Sequence, residues 1–545
     1  MMIRNALRCT VTLIFSLCVF AAHAAPPRLE KQGNSQRLIV NGKPMLMLGG
    51  ELGNSSASSA AYMEPHWSRL KQMHLNTVLA PVYWELIEPV EGRFDFSSVD
   101  ALIGAARAND LKLVLLWFGA WKNSMSTYVP SWVKRDQSRF PRVRLEDGRS
   151  VEILSAFAQT TLDADTRVFA ALLRHLQQTD ANENTVLMVQ VENEIGMLPQ
   201  AREHGALADT AFAAPVPQAL VRTLAKLPAD APLRQLWQRN GAKASGNWSA
   251  LFGDVAAGAE VFTAWHYSAF VESLVRAGKA EYSLPMYVNC ALNRVGKAPG
   301  EYPSGGPLPH LLDVWKAGAP SLDLLAPDIY FPSFVDLATA YRRADNVLFI
   351  PEANNADKPE VPANAFFAFG KLHAIGFSPF SIESIDAQVP NALSRAYAVL
   401  EQLSPAILAA QGHSRMTGFR PRVLEDGTLI EAPVSEVVGD FRFHVSFVDP
   451  WTPKAEQKIA THGGLVIQTG AEDFLIAGQG ITITFEALKE PKLVGIDSAW
   501  EGTFDEQGTW VPGRLLNGDQ THQGRHIRLA PGEFQIQKVR LYRFR

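Results

Sequence analysis

Two glutamates stand on either side of an asparagine at the end of an apolar run, where residues 187–196 read LMVQVENEIG. A second apolar run, NVLFIPE, ends in Glu352. Because taking a carboxylate out of water is costly, carboxylates that converge at the ends of buried strands are kept mainly for function. Such a pair, here Glu194 with Glu352, can supply a proton donor and a nucleophile or base, which is the chemistry that glycoside hydrolysis needs.

Other catalytic chemistries have weaker support. The chain has 13 histidines but no H-E-x-x-H motif. Its one H-x-x-x-H pair, His522 and His526, lies in HQGRH, where the intervening glycine disfavours a helix that would align two metal ligands. No G-x-S-x-G motif marks a nucleophilic serine, and no G-x-G-x-x-G motif follows an early strand. We therefore expect no metal and no cofactor.

Eight apolar runs of strand length alternate with helical patterns between about residues 36 and 411. Near-continuous hydrophobicity is typical of parallel strands that are covered on both faces. The pattern predicts a (β/α)8 TIM barrel over residues 25–414, and a large doubly wound sheet is the alternative. The runs are residues 44–50, 76–84, 111–119, 185–193, 284–290, 322–330, 346–352 and 376–382.

In such a barrel, the C-terminal ends of the strands form the face that carries active sites. Glu194 ends the fourth run and Glu352 the seventh, so their side chains are expected on opposite sides of the barrel mouth, flanking a sugar ring. Glu192 is expected on the same strand face as Glu194, in a supporting polar role. Other polar and aromatic residues end or follow the remaining strands, and we predict that they bind substrate. They are Glu51, Trp84, Trp121, Lys122, Asn123, Asn289, Tyr330 and Glu383.

The motif VQVENEIG resembles the acid/base motif of the retaining β-galactosidases of glycoside hydrolase family 35. The resemblance implies that Glu194 is the acid/base and that Asn193 binds a sugar hydroxyl. The segment LFIPEANN resembles the nucleophile strand of that family, which implies that Glu352 is the nucleophile. The segment NTVLAPVYWELIEPVEGRFDF is similar to the second-strand region. The resemblance extends over most of the barrel, roughly residues 36–411.

What the resemblance implies is a retaining exo-β-galactosidase that needs no cofactor and acts on a galactose-terminated oligosaccharide, such as a xyloglucan side chain. One departure is the third-strand region LLWFGAWKNSMSTYVPSW, which lacks the family's commoner P-Y-x-x-A-E-W run. Trp121, Lys122 and Asn123 are expected to replace its galactose contacts. Two alternatives remain open: another retaining β-glycosidase, of the β-glucosidase or β-mannosidase type, or a catalytically silent carbohydrate-binding barrel.

Residues 415–545 differ in character from the barrel. Short strand-like runs alternate there with Gly, Asp and Pro turns, which predicts an antiparallel β-sandwich. This domain resembles the accessory domains of a bacterial branch of family 35.

The N-terminus and the composition indicate where the protein works. Residues 1–24 combine Arg4 and Arg8, a short apolar core and an A-x-A end, which predicts a signal peptide and export, to the periplasm or as a secreted protein. A bulky Leu17 before Cys18 disfavours a lipid anchor. Cys290 would then be the remaining cysteine, a buried apolar residue without a disulfide partner. A formal net charge of −4 without basic clusters disfavours nucleic acid as a partner.

Overall fold

The computed structural model describes residues 24–385 and 390–545. The predicted signal peptide, with Cys9 and Cys18, therefore lies almost entirely outside the described residues. Within the described part of the chain, no helix is both long enough and apolar enough to cross a bilayer.

Eight parallel strands form the barrel, in the order β6-β5-β4-β3-β2-β1-β8-β7. The strands are β1 (Met47–Glu51), β2 (Thr77–Tyr83), β3 (Lys112–Lys122), β4 (Val186–Asn193), β5 (Met286–Val288), β6 (Leu324–Leu325), β7 (Phe349–Ile350) and β8 (Gly376–Phe377). Beyond the ends of β6 and β7, a parallel bridge joins Asp328 to Glu352, and the Ile329 N–H donates to the Glu352 carbonyl at 2.8 Å. This order confirms the predicted barrel and excludes the doubly wound sheet.

Helices cover the outside of the barrel, which explains why its strands read as unbroken apolar runs. Every residue of β2 and of β4 is buried. The helices between and after the barrel strands are Ala60–Met63, Trp67–Gln72, Trp84–Ile87, Ser97–Ala108, Ser131–Arg135, Gln159–Asp180, Ala206–Ala213, Gln218–Lys226, Pro232–Arg239, Trp248–Phe252, Ala256–Glu281, Leu312–Gly318, Phe334–Tyr341, Val361–Leu372 and Ala392–Ala410.

Two smaller antiparallel units accompany the barrel. One precedes β1 and consists of strands Arg28–Gln32, Ser35–Val40 and Lys43–Met45. The other is a hairpin of strands Arg142–Arg144 and Ser150–Leu154 in the long connection after β3.

The C-terminal region is a β-sandwich of two antiparallel sheets, as predicted. Phe443 of one sheet meets Phe474 of the other, with ring centroids 5.1 Å apart, in a shared apolar core. The larger sheet contains, in spatial order, Met416–Phe419, Gly463–Gln468, Asp473–Gln479, Gln535–Phe544, Leu493–Phe504 and Trp510–Leu515. The smaller contains Val434–Val438, Phe441–Ser446, Ile481–Ala487 and Ile527–Leu529, and Arg422–Val423 pairs separately with Leu429–Ile430.

Helix Val361–Leu372 packs so closely against the larger sheet of the sandwich that glycines are needed on both sides. A Cβ atom on Gly370 would lie 2.8 Å from the Gly418 Cα atom, and one on Gly418 would lie 2.7 Å from the Phe366 carbonyl oxygen. Phe366 also stacks on Phe534 with ring centroids 5.4 Å apart. The barrel and the sandwich therefore share a packed, apolar interface.

Gly370→Ala is expected to lower the free energy of unfolding by about 1–3 kcal/mol, because the added methyl group overpacks this interface. Gly104→Ala is the matched control, since Gly104 is also inside a helix but a Cβ atom there meets no atom of the described residues within 4 Å. That variant should gain up to about 1 kcal/mol from the better helix propensity of alanine. Urea unfolding measures both, and equal shifts in the two variants would contradict close packing at Gly370.

Candidate active site

Three carboxyl groups meet at the C-terminal mouth of the barrel. Oxygens of Glu194, Asp328 and Glu352 all lie within 4.8 Å of one another. The three residues are buried, with exposed fractions of 7%, 1% and 4%. Glu194 and Glu352 were expected here, but Asp328 was not. Its signal in the sequence was a carboxylate at the end of the sixth apolar run, two residues before Tyr330.

The end of β3 holds the end of β4 in an unusual backbone conformation. Glu192 and Glu194 have positive φ angles of 60° and 46°, which are uncommon for residues other than glycine. The Asn123 N–H donates to the Asn193 carbonyl, and the Ser124 N–H to the Glu194 carbonyl, both at 3.1 Å. The Asn123 side-chain amide also donates to Oε2 of Glu194. The Glu194 carboxyl group is therefore fixed from both its backbone and its side chain.

Asn289 connects the members of the carboxyl cluster. Its Nδ2 donates to Oδ2 of Asp328 at 2.7 Å, and lies 3.5 Å from Oε1 of Glu352. Its Oδ1 accepts the backbone N–H of Glu194 at 2.9 Å. The Tyr330 hydroxyl donates to Oε2 of Glu352 at 2.6 Å. Asn289 and Tyr330 thus both orient the carboxyl groups.

Three further predicted residues offer unused polar groups at the mouth. Both carboxyl oxygens of Glu51 and both polar atoms of the Asn193 amide are buried without a hydrogen-bond partner among the described residues. Lys122 is nearly buried, with Nζ 5.0 Å from the centroid of the Phe118 ring. Buried polar groups are rarely left unpaired in folded proteins, so these atoms are suited to complete their hydrogen bonds with a polar ligand.

The cluster favours protonated carboxyl groups near neutral pH. Burial, reinforced by the charge of Glu352, raises the pKa of Glu194 to about 7, while Lys122 acts in the opposite direction. Burial and the same neighbour raise the pKa of Glu51 and that of Asp328 well above their usual range. A group that holds a proton near pH 7 beside an ionisable partner is what acid–base catalysis requires.

The two predicted tryptophans do not lie at the mouth. Trp84 is fully buried, and its indole N–H donates to Oε2 of Glu88 at 3.0 Å. Trp121 is also fully buried and packs against Phe270 of helix Ala256–Glu281, with ring centroids 4.6 Å apart. Side chains alternate along a strand, so the residue before Lys122 faces the helices when Lys122 faces the barrel interior. Both substrate-binding predictions are corrected to structural roles.

Glu383 also has a structural position. Its carboxylate accepts the Gly53 N–H at 2.9 Å and the Ser56 hydroxyl. Its backbone carbonyl accepts the Arg69 guanidinium. These bonds occupy the carboxylate and tie the segment after β8 to the loop after β1, so the prediction that Glu383 binds substrate is corrected as well.

Glu192 faces the helix layer, not the same side as Glu194. Its Oε2 accepts the Trp121 N–H at 2.7 Å, and its carboxyl group meets Asp165, which accepts the Trp117 indole N–H at 2.9 Å. Burial, with Asp165 adding to it, raises the pKa of Glu192 well above its usual range. The protonated form of Glu192 is therefore favoured. Both carboxyl groups accept N–H groups of β3, which joins β4 and the helix that carries Asp165 to β3 behind the site.

A (β/α)8 barrel with facing carboxyl groups at its mouth has the arrangement that glycoside hydrolysis uses. Comparison with known families agrees with this class. Residues 57–231 match the family model of glycoside hydrolase family 42, described as "Beta-galactosidase". This match includes Glu194 but ends before Glu352. Residues 393–528 match a model described as "Domain of unknown function (DUF5597)". The match to family 42 does not establish the family 35 membership that the motifs indicate, which stays a prediction.

Individual relatives point to the same class. The chain is 31% identical over 209 residues to a β-galactosidase of Xanthomonas manihotis, an overlap of 36% of this chain and 32% of that protein. It thus spans about a third of the length of that relative. Its fold is also similar to crystal structures of β-galactosidases from Marinomonas ef1 (TM-score 0.46, 13% identity, covering 68% of this chain and 61% of that one) and Rahnella sp. R3 (TM-score 0.44, 16% identity, 70% and 57%). The matched family model and the Xanthomonas manihotis relative are both described as β-galactosidases.

The free energy of unfolding of Glu192→Gln is expected to increase relative to that of wild type as the pH rises. Above the ordinary glutamate pKa of about 4, the folded wild type holds a proton that the unfolded chain has released. Its free energy of unfolding therefore falls with pH until the raised folded-state pKa of Glu192 is passed. Glutamine keeps a donor for Asp165 and an acceptor for the Trp121 N–H, and it does not titrate.

Urea unfolding at about pH 5, 7 and 9 tests this expectation through the difference between variant and wild type. The difference should move in favour of Glu192→Gln as the pH rises from about 5 toward the raised pKa of Glu192, and the same change at Glu506, which is exposed, is the matched control. A constant difference for Glu192→Gln would contradict a raised pKa at Glu192.

Proposed function

We propose that this protein is a retaining exo-β-galactosidase in which Glu194 is the general acid and base and Glu352 is the nucleophile. The observation that carries the proposal is the approach of these two carboxyl groups, whose oxygens lie within 4.8 Å across the barrel mouth. Retaining glycosidases need carboxyl groups about 5–5.5 Å apart, whereas inverting enzymes need about 6.5–9.5 Å to admit a water molecule between sugar and base.

The geometry suits the two chemical steps of retention. In the first, an oxygen of Glu352 attacks the anomeric carbon while Glu194 gives its proton to the departing oxygen, which leaves a galactosyl ester on Glu352. Tyr330 holds Oε2 of Glu352, so Oε1 is the freer oxygen for the attack. In the second step, Glu194 takes a proton from water as the water displaces Glu352.

The sugar-binding groups proposed are those at the mouth with polar atoms to spare. Asn193, Glu51 and Lys122 are suited to the hydroxyls of a terminal galactose, with Asn123 and Asn289 orienting the carboxyl groups. Substrates proposed from the family resemblance are galactosylated plant cell-wall oligosaccharides such as xyloglucan side chains. Export to the periplasm stays the prediction made from residues 1–24. Another retaining β-glycosidase would use the same two carboxyl groups and differ in these contacts.

The substrate proposal is tested by hydrolysis of nitrophenyl β-galactoside beside the β-glucoside, β-mannoside and α-arabinoside, with wild type and Glu194→Gln. We expect wild type to prefer the β-galactoside and the variant to lose most of that activity. Preference for another sugar would overturn the substrate and keep the mechanism. Inactivity on all of these and on galactosylated xyloglucan oligosaccharides would favour the carbohydrate-binding barrel.

Small nucleophiles should distinguish the two catalytic glutamates. Glu352→Ala is expected to lose nearly all turnover, and azide should restore it with formation of the α-galactosyl azide, because azide takes the place of the missing nucleophile. Glu194→Ala is expected to lose about 10²–10⁴-fold in rate, and azide should then yield the β-galactosyl azide from the ester on Glu352. Nuclear magnetic resonance of the products decides the configuration. The opposite pair of products would exchange the two roles.

The pH dependence should show the proton of Glu194. Since the acid must be protonated in the first step, kcat/KM is expected to fall as the pH rises through about 7, the pKa of Glu194. A dinitrophenyl galactoside is the control, because its leaving group departs without a proton and its kcat/KM should decline less above that pH. The fall in kcat/KM at high pH is the alkaline limb of the pH profile. Equal declines for both substrates would show that this limb reflects the titration of another group.

A further inference from the structure

We propose that Asp328 is a positioning residue that lies, in its protonated form, between the two catalytic carboxyl groups. Its O–H donates a hydrogen bond to Glu194 when Glu194 is ionised. The inference rests on the roles proposed above for Glu194 and Glu352. It adds to them a third carboxyl group, which stays neutral throughout the reaction.

The backbone fixes Asp328 between neighbouring strands. Its N–H donates to the Cys290 carbonyl at 3.2 Å, just after β5, and the next residue, Ile329, donates to the Glu352 carbonyl at 2.8 Å, just after β7. Parallel bridges join Asp328 both to Ala291 and to Glu352. These bonds place Asp328 at the mouth of the barrel, where it is 1% exposed.

The two oxygens of the Asp328 carboxyl group have different surroundings. Oδ2 accepts a hydrogen bond from Asn289 at 2.7 Å, which supports an unprotonated oxygen there. Oδ1 is buried, and no described donor is directed at it. The nearby oxygens of Glu194 and Glu352 are acceptors when ionised. A proton on Oδ1 replaces the repulsion between these charged groups with attraction, so we place the proton on Oδ1.

The charges around Asp328 favour the neutral form. Burial and then Glu352, Glu194 and Glu51 raise the pKa of Asp328 well above its usual range, and Lys122 is the cation that acts on Glu51 and Glu194. Buried carboxylates at this separation cannot all be ionised. Glu352 must be ionised to attack, so protons remain on other members of the cluster. The titratable groups that face Asp328 are Glu51, Glu194, Tyr287, Cys290, Tyr330, Tyr341 and Glu352.

A neutral Asp328 helps Glu194 at the moment when Glu194 loses its proton. In the first step that proton goes to the departing oxygen, which leaves Glu194 as a buried carboxylate. The O–H of Asp328 then donates to this carboxylate, an interaction that already lowers the pKa of Glu194 against the effect of burial. When Glu194 takes a proton from water in the second step, Asp328 still has its own. No proton is gained or lost by Asp328 over the cycle.

Two substitutions separate this role from a merely structural one. In Asp328→Asn, the amide oxygen can accept from Asn289 and the amide nitrogen can donate toward Glu194, so the variant copies the protonated side chain. We expect its kcat/KM to exceed that of Asp328→Ala clearly, with the fall at high pH at the same pH as in wild type, because a neutral donor replaces a neutral donor.

Asp328→Ala removes the donor. We expect kcat/KM for nitrophenyl β-galactoside to fall about 10- to 100-fold, since hydrogen bonds to charged groups are among the stronger ones. The alkaline limb should move to higher pH, because the ionised form of Glu194 loses a stabilising partner. A purely structural loss would lower the rate without moving the limb. Urea unfolding of both variants checks that each is folded.

Three results would overturn the proposal. Wild-type behaviour of Asp328→Ala would show that Asp328 does not act through Glu194. An alkaline limb at lower pH in Asp328→Asn would show that wild-type Asp328 is ionised, because removing a negative neighbour lowers the pKa of Glu194. Loss of wild-type activity after EDTA treatment, restored by a divalent cation, would show that a cation and not a proton offsets the three carboxyl groups. Inactive wild type would instead contradict the proposed function itself.

Discussion

The structure depends on one electrostatic constraint, which is that Glu51, Glu194, Asp328 and Glu352 share a buried region at the mouth of the barrel. Four ionised carboxylates there would repel one another strongly at low local dielectric. The structure relieves this repulsion with retained protons and with the nearby cation of Lys122. The same features that make the cluster tolerable in the folded state, above all a glutamic acid that keeps its proton near pH 7, make it suited to acid–base chemistry.

The rest of the fold serves to keep this cluster in place. The bridge from Asp328 to Glu352 joins the ends of β6 and β7 and so completes the ring of strands that the cluster needs. Behind the site, Glu192 of β4 accepts the Trp121 N–H of β3, which joins the two strands that lead to Asn123 and Glu194. The sandwich packs through Gly418 on a helix outside the barrel.

Much of the fold could be predicted from the sequence, because unbroken apolar runs and helical periodicity are local signals. The expectation that Glu194 and Glu352 converge follows from the topology of a barrel alone. The directions of the side chains were harder to predict from the sequence. Trp121 and Lys122 are adjacent in sequence but face opposite sides of β3, and Glu192 departs from simple alternation because its φ angle is positive. The place of Asp328 in the carboxyl cluster was not predicted, because it depends on contacts with Asn289 and Glu352, which are distant in sequence.

The most direct test of the proposed mechanism is to trap the covalent intermediate. Wild-type protein is incubated with dinitrophenyl 2-deoxy-2-fluoro-β-galactoside. Its fluorine slows both steps, but its good leaving group speeds the first, so the covalent intermediate accumulates. Intact-mass measurement and peptide mapping then locate the modification. The mechanism predicts one fluorogalactosyl group per chain, on Glu352, with a slow return of activity as it hydrolyses. A modification on a different carboxylate, or turnover without any adduct and with inverted product, would contradict it.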